Sequence, residues 1–510
     1  MRFFLMNKDK EIVLFEKKSS GFEILDVCGR LPFAFQSVNN WVANRKSSKH
    51  NQYLKSLMTR LGMNDDETYL LLTHATSVND TFWVKSSNDS ISWNHVSLYR
   101  NEFSDIVSKI AYEGFGIVDV NFSTTSPEFS SPELAVDGSY RKCFRKERET
   151  GQYGSDIFIY KREGIRSSGY ETYAEILASE IAQKISPDNA VQYQLRKLHG
   201  NFASCCNLFT SEQYGYAGFG KVSDVSGDNL DGILEFYSSI GSEQYFRELV
   251  LIDALTFNTD RHTGNHGVLF DNDTLEIFRI SPAFDFNLSM LSFIPTEELS
   301  DIGDRLVEVS PVFGEDFTQM GQKVLNDALR ERLESLRDFS FAFRGNPKFP
   351  EQRILLLEQI LHKQAEAILS EQKLYTKDVF VSQKLLEYEE LLEKASDFEP
   401  IVTQLYDAME EIFQQTNDFS EFLGTIETSP TNACYVMESF SHSVRLDFVH
   451  ATIHISRISG EEVSVSDLKS EDRLLYEALK IAKSETQKIL KMDGRKSLFH
   501  DVTDSISPKI

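Results

Sequence analysis

Hydrophobic residues recur along most of the chain at the intervals typical of strands or helices. The runs RFFLM (2–6) and EIVLFE (11–16) are rich in aromatic and branched side chains and flank the polar segment 7–10. This arrangement predicts a β-hairpin. Apolar residues at helical spacing over 51–61 predict a helix. Mixed α/β character continues to about residue 120, where NFSTTSPEFSSPE has the composition of a loop.

From residue 138 to residue 212 the pattern predicts the order strand, strand, helix, strand, strand. GSYRKCFR and DIFIYKRE have the composition of strands and are joined by a polar segment that contains glycine. YETYAEILASEIAQKI then repeats apolar residues at helical intervals, and it is followed by the strand-like runs AVQYQLRKL and FASCCNLFTSE. Glu171 and Glu175 lie one turn apart on the same side of the predicted helix.

The second half of the chain begins with a strong helical pattern over 243–257, which is followed by a polar loop. GVLF and LEIFRI, separated by a tight turn at 271–274, predict a second hairpin. Residues 351–369 predict another amphipathic helix. Beyond about residue 373 the chain is acidic and its pattern predicts mostly helix, with apolar faces of its own. We therefore expect a separate helical extension there.

Length and charge narrow the classes of protein to consider. A chain of 510 residues is too long for one core and predicts several domains. Its formal net charge of −25 predicts that the bulk surface binds neither nucleic acid nor anionic lipid. Five cysteines without a CxxC spacing are typical of a reduced chain, and no apolar run is long enough to span a membrane. These features predict a cytoplasmic protein without a membrane partner.

The candidate chemistry is concentrated in FNTDRHTGNHGVLF (257–270) and in the segment that follows the second hairpin. Asp260 and Asn265 are five residues apart, and Asp285 follows twenty residues later. Phosphoryl transfer from ATP needs a carboxylate that orients the attacking hydroxyl, and oxygen ligands that hold Mg²⁺ against the phosphates. The protein-kinase pattern HRDxxxxN, then DFG, has the same order and the same step from Asp to Asn. Asp260 is therefore the candidate base, and Asn265 and Asp285 are the candidate metal ligands.

A kinase also needs a lysine on an early strand and a glutamate on the next helix that holds this lysine. Lys161 ends the DIFIYK strand, and the predicted helix with Glu171 and Glu175 follows it. Either glutamate fits this role, and we take Glu175 as the catalytic candidate. GYAGFGKV (215–222) matches GxxxxGK, but Val222 stands where a P-loop needs Ser or Thr, and no helical pattern follows. We therefore do not expect a P-loop.

The segments FNTDRHTGNHGVLF and ISPAFDF resemble the catalytic core of HipA-like kinases, which carry a D-x-H-x-x-N loop and a P-x-x-D metal site. The upstream segments SPELAVDGSYRKCF (131–144) and IYK (159–161) resemble that family's nucleotide loop and strand lysine. The resemblance implies a Ser/Thr protein kinase, often a bacterial toxin with an antitoxin protein as partner. It also implies ATP and Mg²⁺ as cofactors, Asp260 as base, Asn265 and Asp285 as metal ligands, and Lys161, Lys142, Gly138 and Ser139 as ATP contacts.

We therefore expect an α+β, two-lobed, kinase-like fold of the HipA type. The expected parts are an N-terminal accessory region (1–120), a kinase N-lobe (121–212), a kinase C-lobe (213–372) and an acidic helical extension (373–510). The Asp-Arg-His order also resembles phosphoinositide kinases, so a lipid or a small alcohol is an alternative acceptor to a protein substrate. A nucleotide-binding module without catalysis is the second alternative.

Overall fold

The computed structural model describes residues 1–46, 52–114, 131–135, 140–162, 168–302, 309–314, 316–370, 383–419, 422–496 and 498–499. The chain divides into two compact units, Met1–Phe380 and Val381–Ile510. The finer division into four parts that the sequence suggests stays a prediction. Both units combine helices with antiparallel sheets, so the α+β class is confirmed.

The N-terminal region contains a four-stranded antiparallel sheet in the order β3-β2-β1-β4. The predicted hairpin is confirmed, because Asn7 pairs with Lys10 at its tip. Phe3, Phe15 and Phe22 are buried in the core of this region, where apolar residues of the neighbouring helices join them. The elements are β1 (Arg2–Asn7), β2 (Lys10–Lys18), β3 (Gly21–Val27), α1 (Val38–Ala43), α2 (Gln52–Arg60), α3 (Asp66–Thr73), β4 (Phe82–Ser86), α4 (Trp93–Val96) and α5 (Asp105–Glu113).

The predicted order strand, strand, helix, strand, strand is confirmed in the next segment. A short 3₁₀ helix (Pro132–Ala135) precedes it. The strands form an antiparallel sheet in the order β5-β6-β8-β7. Residues that pair across neighbouring strands have their side chains on the same face of this sheet. The elements are β5 (Lys142–Lys146), β6 (Ile157–Lys161), α6 (Glu171–Ile185), β7 (Tyr193–Leu198) and β8 (Asn201–Asn207).

The predicted helices and the second hairpin of the following segment are also confirmed. Three strands form a sheet in the order β11-β10-β9, and helix α8 carries a stripe of buried residues that includes Phe246 and Val250. The elements are β9 (Tyr214–Gly218), α7 (Leu230–Ser239), α8 (Glu243–Thr256), β10 (Gly267–Asp271), β11 (Ile277–Ile280), α9 (Phe317–Val324), α10 (Asp327–Glu334) and α11 (Glu351–Leu369). A 3₁₀ turn at Phe219–Lys221 follows β9 where the P-loop-like sequence lies.

The second unit contains a sheet that the sequence pattern did not predict, although helices make up most of its described regular structure, as expected. Four consecutive antiparallel strands pair in chain order between two long helices. The missed signal is the alternation in β14, where buried Val444 and Leu446 flank the more exposed Arg445. The elements are α12 (Gln383–Gln415), β12 (Leu423–Ser429), β13 (Asn432–Glu438), β14 (His442–Asp447), β15 (Thr452–Arg457), α13 (Val465–Glu471) and α14 (Arg473–Met492).

The helices of the described residues were also compared with the requirements of a membrane span. None of them combines the length and the apolar character that a crossing requires.

Candidate active site

Lys161, the last residue of β6, lies between two carboxylates that are far apart in the sequence. Its Nζ donates to Oε1 of Glu175 at 2.8 Å and to Oδ1 of Asp285 at 2.8 Å. Glu175 lies on α6, and its second oxygen accepts a hydrogen bond from the hydroxyl of Ser204 on β8. The structure thus identifies Glu175 as a partner of the strand lysine, a choice that helical periodicity left open.

Lys161 and Asp285 stabilise each other's charged forms, whereas burial, together with the nearby Asp285, raises the pKa of Glu175 despite its contact with Lys161. Burial opposes the charged form of Lys161, but the carboxylates of Asp285 and Glu175 outweigh it and raise the pKa of Lys161 well above its ordinary value. Burial likewise acts against the charged form of Asp285, and Lys161 outweighs it, so the pKa of Asp285 is lowered. An ammonium group and ionised Asp285 therefore coexist here at neutral pH.

The loop from Asp260 to Asn265 is closed by its own hydrogen bonds. The side-chain amide of Asn265 donates to the carbonyl oxygen of Asp260 at 2.8 Å, and its backbone N–H donates to the carbonyl oxygen of His262 at 2.8 Å. The backbone N–H of Asp260 donates to Oδ1 of Asn258 at 3.1 Å. These bonds place the half-buried carboxylate of Asp260 and the amide of Asn265 on one compact turn. Burial raises the pKa of Asp260 above that of an ordinary aspartate.

Buried Arg261 connects this loop to the segment that carries Asp285. Its Nε and Nη2 donate to the two carboxylate oxygens of Asp253 on α8, at 2.8 and 2.9 Å. Its Nη1 donates to the carbonyl oxygens of Asn265 at 2.7 Å and of Phe284 at 2.6 Å. Because a guanidinium offers its donors in a rigid fork, these bonds fix the positions of both candidate metal ligands relative to α8. Asp253 therefore acts on the loop through Arg261.

The backbone around Asp285 is held in an uncommon conformation. Asp285 has φ +60°, in the left-handed region that few residues other than glycine adopt. Its N–H donates to the phenol oxygen of Tyr193 at 3.1 Å, while Ala283 exchanges backbone hydrogen bonds with Asn189 and Val191. A residue other than glycine keeps a left-handed backbone conformation where the surrounding contacts hold it there. The sheet β5–β8, through Tyr193 on β7, thus helps to position Asp285.

Lys142 lies directly opposite Lys161 in the β5–β6 pair, so both side chains emerge on the same face of the sheet. Lys142 also contributes to the lowered pKa of Asp285, after burial, which opposes that shift, and Lys161. Seven Lys or Arg residues and three Asp or Glu residues lie between 140 and 162, within a chain whose net charge is −25. The segment 140–162 is therefore locally basic within an acidic chain. Gly138 and Ser139 lie outside the described residues.

Three side chains of the site carry no signal in the sequence, namely Tyr140, Tyr193 and Ser204. Tyr193 and Ser204 contact Asp285 and Glu175 only because of the register of β7 and β8. The pKa of Tyr140 is raised by burial and also by the nearby carboxylates, including Glu171 and Asp285.

His262 is exposed, and its Nδ1 accepts a hydrogen bond from the N–H of Gly264 at 3.0 Å, so it shapes the loop.

The donor set of the site fits Mg²⁺. The amide nitrogen of Asn265 is engaged by the Asp260 carbonyl, so the amide oxygen is the ligand atom that this side chain offers. Together with the carboxylate of Asp285 it provides hard oxygen donors, and Mg²⁺ in phosphate-binding sites takes its remaining ligands from water and phosphate. No cluster of three or more His, Cys, Asp or Glu side chains suited to a metal occurs in the part of the chain that the structure describes.

Comparisons with known proteins give similarity in structure alone. No family model and no curated protein sequence matches the chain. The Helicobacter pylori proinflammatory kinase CtkA is similar with a TM-score of 0.33 and 15% identity, over 45% of this chain and 88% of that chain. HipA of the Shewanella oneidensis MR-1 toxin–antitoxin system, solved with HipB and operator DNA, is similar with a TM-score of 0.39 and 12% identity, over 73% of this chain and 98% of that chain. HipA, whose family the sequence motifs resemble, is thus among the structures similar to this chain.

Proposed function

We propose that this protein is an ATP- and Mg²⁺-dependent kinase of the HipA-like type that phosphorylates Ser or Thr residues of a protein substrate. The observation that supports this proposal most is the convergence of Lys161, Glu175 and Asp285. Lys161 contacts each carboxylate at 2.8 Å, and Arg261 ties the neighbouring loop to Phe284, the residue before Asp285. A lysine held by a helix glutamate and an aspartate in the metal position are the parts that phosphoryl transfer from ATP requires.

Each residue has a distinct proposed role. Asp260 accepts the proton of the attacking hydroxyl and orients this group toward the phosphorus. Its raised pKa makes it a better base than an ordinary aspartate. Lys161 binds the phosphates, with Glu175 as the partner that positions its ammonium group. Lys142, on the same face of the sheet, supplies a second positive charge to the phosphates.

Asn265 and Asp285 would hold the metal ion, which when bound neutralises charge on the transferred phosphoryl group. Arg261 supports this role, because one of its nitrogens binds the backbone carbonyls of Asn265 and of Phe284, the residue before Asp285. Positioning and charge neutralisation account for most of the rate enhancement in phosphoryl transfer. The rigidity of this connection therefore contributes to the proposed catalysis.

The proposal is tested by incubating purified protein with Mg-ATP and a protein extract, and by locating phosphosites with mass spectrometry. We expect phosphoserine or phosphothreonine with wild type and none with Asp260→Asn. Asp224→Asn, a change at an exposed aspartate, is the matched control and should behave as wild type. Transfer of the phosphoryl group to phosphoinositide micelles but not to protein would show that the acceptor is a lipid. Binding of Mg-ATP without transfer to either acceptor would show a module without catalysis.

We also propose, from the sequence resemblance, a role as a bacterial toxin that an antitoxin protein neutralises. Expression of wild type and of Asp260→Asn in a bacterium tests this role separately. We expect growth arrest with wild type alone. Equal growth of the two strains, at equal protein levels, would contradict the toxin role. It would not bear on the proposed kinase activity.

A further inference from the structure

Arg353, on α11, is a buried cation that the proposed chemistry does not use. Its side chain is 0% exposed, and its shortest hydrogen bonds go to backbone carbonyl oxygens. Nη1 donates to the carbonyl oxygen of Ile294 at 2.8 Å, and Nη2 donates to that of Leu291 at 2.7 Å. Burial lowers the pKa of Arg353 to about 10. Because burying a charge is costly, the contacts that Arg353 makes must offset this cost.

Both carbonyls belong to residues 286–296, the segment that directly follows Asp285. Its backbone is strained, because Met290 and Leu291 have φ values of +51° and +50°. Residues other than glycine seldom adopt this left-handed conformation, and two in succession are rarer still. The carbonyl oxygens of both residues lie near Nη2 of Arg353, at 3.5 and 2.7 Å. A strained backbone persists where surrounding contacts hold it, and Arg353 provides such contacts here.

The 286–296 segment also binds the loop of the proposed base. The backbone N–H of Thr259, the residue before Asp260, donates to the carbonyl oxygen of Leu288 at 3.4 Å. The backbone N–H of Met290 donates to the carbonyl oxygen of the last residue of α8 at 2.6 Å. Arg353 therefore holds a segment that is hydrogen-bonded directly to the residue before the proposed base.

Arg353 contacts the start of α6 as well, the helix that carries Glu175. The centre of its guanidinium lies 4.2 Å from the ring centroid of Tyr170, the N-cap residue of α6. A cation over an aromatic ring at this distance is attracted to it, and more strongly so away from water. The hydroxyl of Tyr170 lies 3.4 Å from Oγ1 of Thr296, so the same ring contacts the 286–296 segment. One buried side chain thus links the helix of Glu175 to the segment that follows the proposed metal ligand.

The two linked elements supply the two carboxylates that contact Lys161. Glu175 lies on α6, and Asp285 directly precedes the 286–296 segment. We infer that Arg353 is a positioning residue that holds α6 and this segment in fixed relative positions. It contacts neither carboxylate, and it acts on turnover through the alignment of both with Lys161. The effect on turnover rests on the proposed kinase function, whereas the alignment is a property of the fold.

The alignment is tested by the reactivity of Lys161 toward an amine-acylating reagent, measured on the full chain by mass spectrometry. The ammonium form does not react, so the two carboxylates that stabilise it should make Lys161 slow to label. Arg353→Met removes the charge and the donors at similar length, and we expect labelling of Lys161 to become roughly tenfold faster or more, as a fall of one pKa unit would cause. An equal rate in wild type and Arg353→Met would overturn the inference.

Arg45→Met is the matched control for the labelling experiment. Arg45 is also a buried arginine, and its terminal nitrogens donate to the carboxylate of Asp80 at 2.5 and 2.6 Å in the N-terminal region. Its replacement destabilises the fold away from Lys161, so the labelling rate should stay within about twofold of wild type. Acceleration by Arg45→Met as large as that by Arg353→Met would show a general loss of stability and would overturn the positioning role.

A double variant tests whether Arg353 acts through Glu175. Glu175→Gln breaks one contact of Lys161 directly and should also speed its labelling. The combination with Arg353→Met should label no more than about twofold faster than the faster single variant, because both changes remove the same alignment. Multiplied effects would overturn the inference. Tyr170→Leu, which removes the ring contact alone, should speed labelling as well, and it replaces Arg353→Met if that variant does not fold.

Steady-state kinetics test the same residue in the proposed reaction. A smaller folded fraction lowers the apparent kcat but leaves the KM for ATP unchanged, whereas displacement of Lys161 weakens its contact with the phosphates. We expect Arg353→Met to lower kcat and to raise the KM for ATP, each roughly tenfold, and Arg45→Met to keep the wild-type KM. An unchanged KM in Arg353→Met would overturn its effect on turnover. Absence of phosphoryl transfer in wild type would contradict the proposed function, and the labelling of Lys161 would still decide the role of Arg353.

Discussion

Arg261 and Asp253 form a bidentate ion pair in which both carboxylate oxygens lie 2.8–2.9 Å from guanidinium nitrogens, and both side chains are 1% exposed. The pair stands behind the proposed catalytic loop and contacts no proposed substrate atom. Its significance lies in the third nitrogen, Nη1, which binds the Asn265 and Phe284 carbonyls. One buried side chain thereby sets the relative position of the proposed base and metal ligands.

Replacement of Asp253 by Asn should destabilise the first unit and lower its activity. It leaves the Arg261 charge buried without a counterion, and breaking a buried pair in this way costs about 3–5 kcal/mol. Denaturant unfolding measures the free energy of unfolding. Glu243→Gln removes a partly exposed i,i+4 pair with Arg247 on the same helix and should cost less than about 1 kcal/mol. Similar losses for the two variants would contradict the role of the buried pair.

Removal of the charge of Glu175 should reduce turnover more than removal of the charge of Glu171. With Glu175→Gln, Asp285 remains the anionic partner of Lys161 among the described residues, and the ammonium group is drawn toward the proposed metal-binding position. We expect a loss in kcat of roughly 10²–10³-fold, the size typical of a lost electrostatic contact in the transition state. Steady-state kinetics with varied ATP measure it. A larger effect of Glu171→Gln would show that the pair of Glu175 with Lys161 is not the one that supports turnover.

Changes at the two proposed metal ligands should differ from changes at the proposed base. Asp285→Asn removes an anionic ligand, so the Mg²⁺ concentration at half-maximal activity should rise at least tenfold, with kcat lowered roughly a thousandfold. Asp260→Asn should abolish transfer while Mg-ATP binding, measured by calorimetry, stays within about twofold of wild type. Loss of Mg-ATP binding in Asp260→Asn would assign this residue to the metal instead of to the hydroxyl.

The stability of the first unit should fall in acid partly through Glu212. Burial opposes ionisation of this carboxylate, but Arg100 and the indole N–H of Trp93 outweigh it, and the pKa of Glu212 is lowered. The unfolded chain then binds the proton more readily than the folded chain, so this contribution is present above the ordinary Glu pKa of about 4.3 and is lost as pH falls through the lower folded value.

Unfolding curves of Glu212→Gln between pH 3 and pH 6 test this assignment. The variant should lose part of the pH dependence of stability that wild type shows in acid. Glu235→Gln, at an exposed position of α7, should follow the wild-type curve within about 0.5 kcal/mol. An unchanged pH dependence in Glu212→Gln would exclude this carboxylate as a source of acid sensitivity.

The sequence by itself determined the local elements and the order of the candidate residues. Hairpin β1–β2, helix α8 and helix α11 follow from hydrophobic periodicity, since each pattern extends over contiguous residues. The candidate roles of Asp260, Asn265 and Asp285 could also be predicted from the sequence, because the kinase pattern is defined by the order and the spacing of these residues along the chain.

Only the tertiary structure decided which of these residues meet. Glu171 and Glu175 have the same periodicity, and the packing of α6 on the sheet brings Glu175 to Lys161. Tyr193 reaches Asp285 through strand register and long-range packing, which a single sequence does not encode locally. The sheet β12–β15 was missed because the acidic helical pattern of α12 was extended over the residues that follow it, whose pairing depends on contacts between strands.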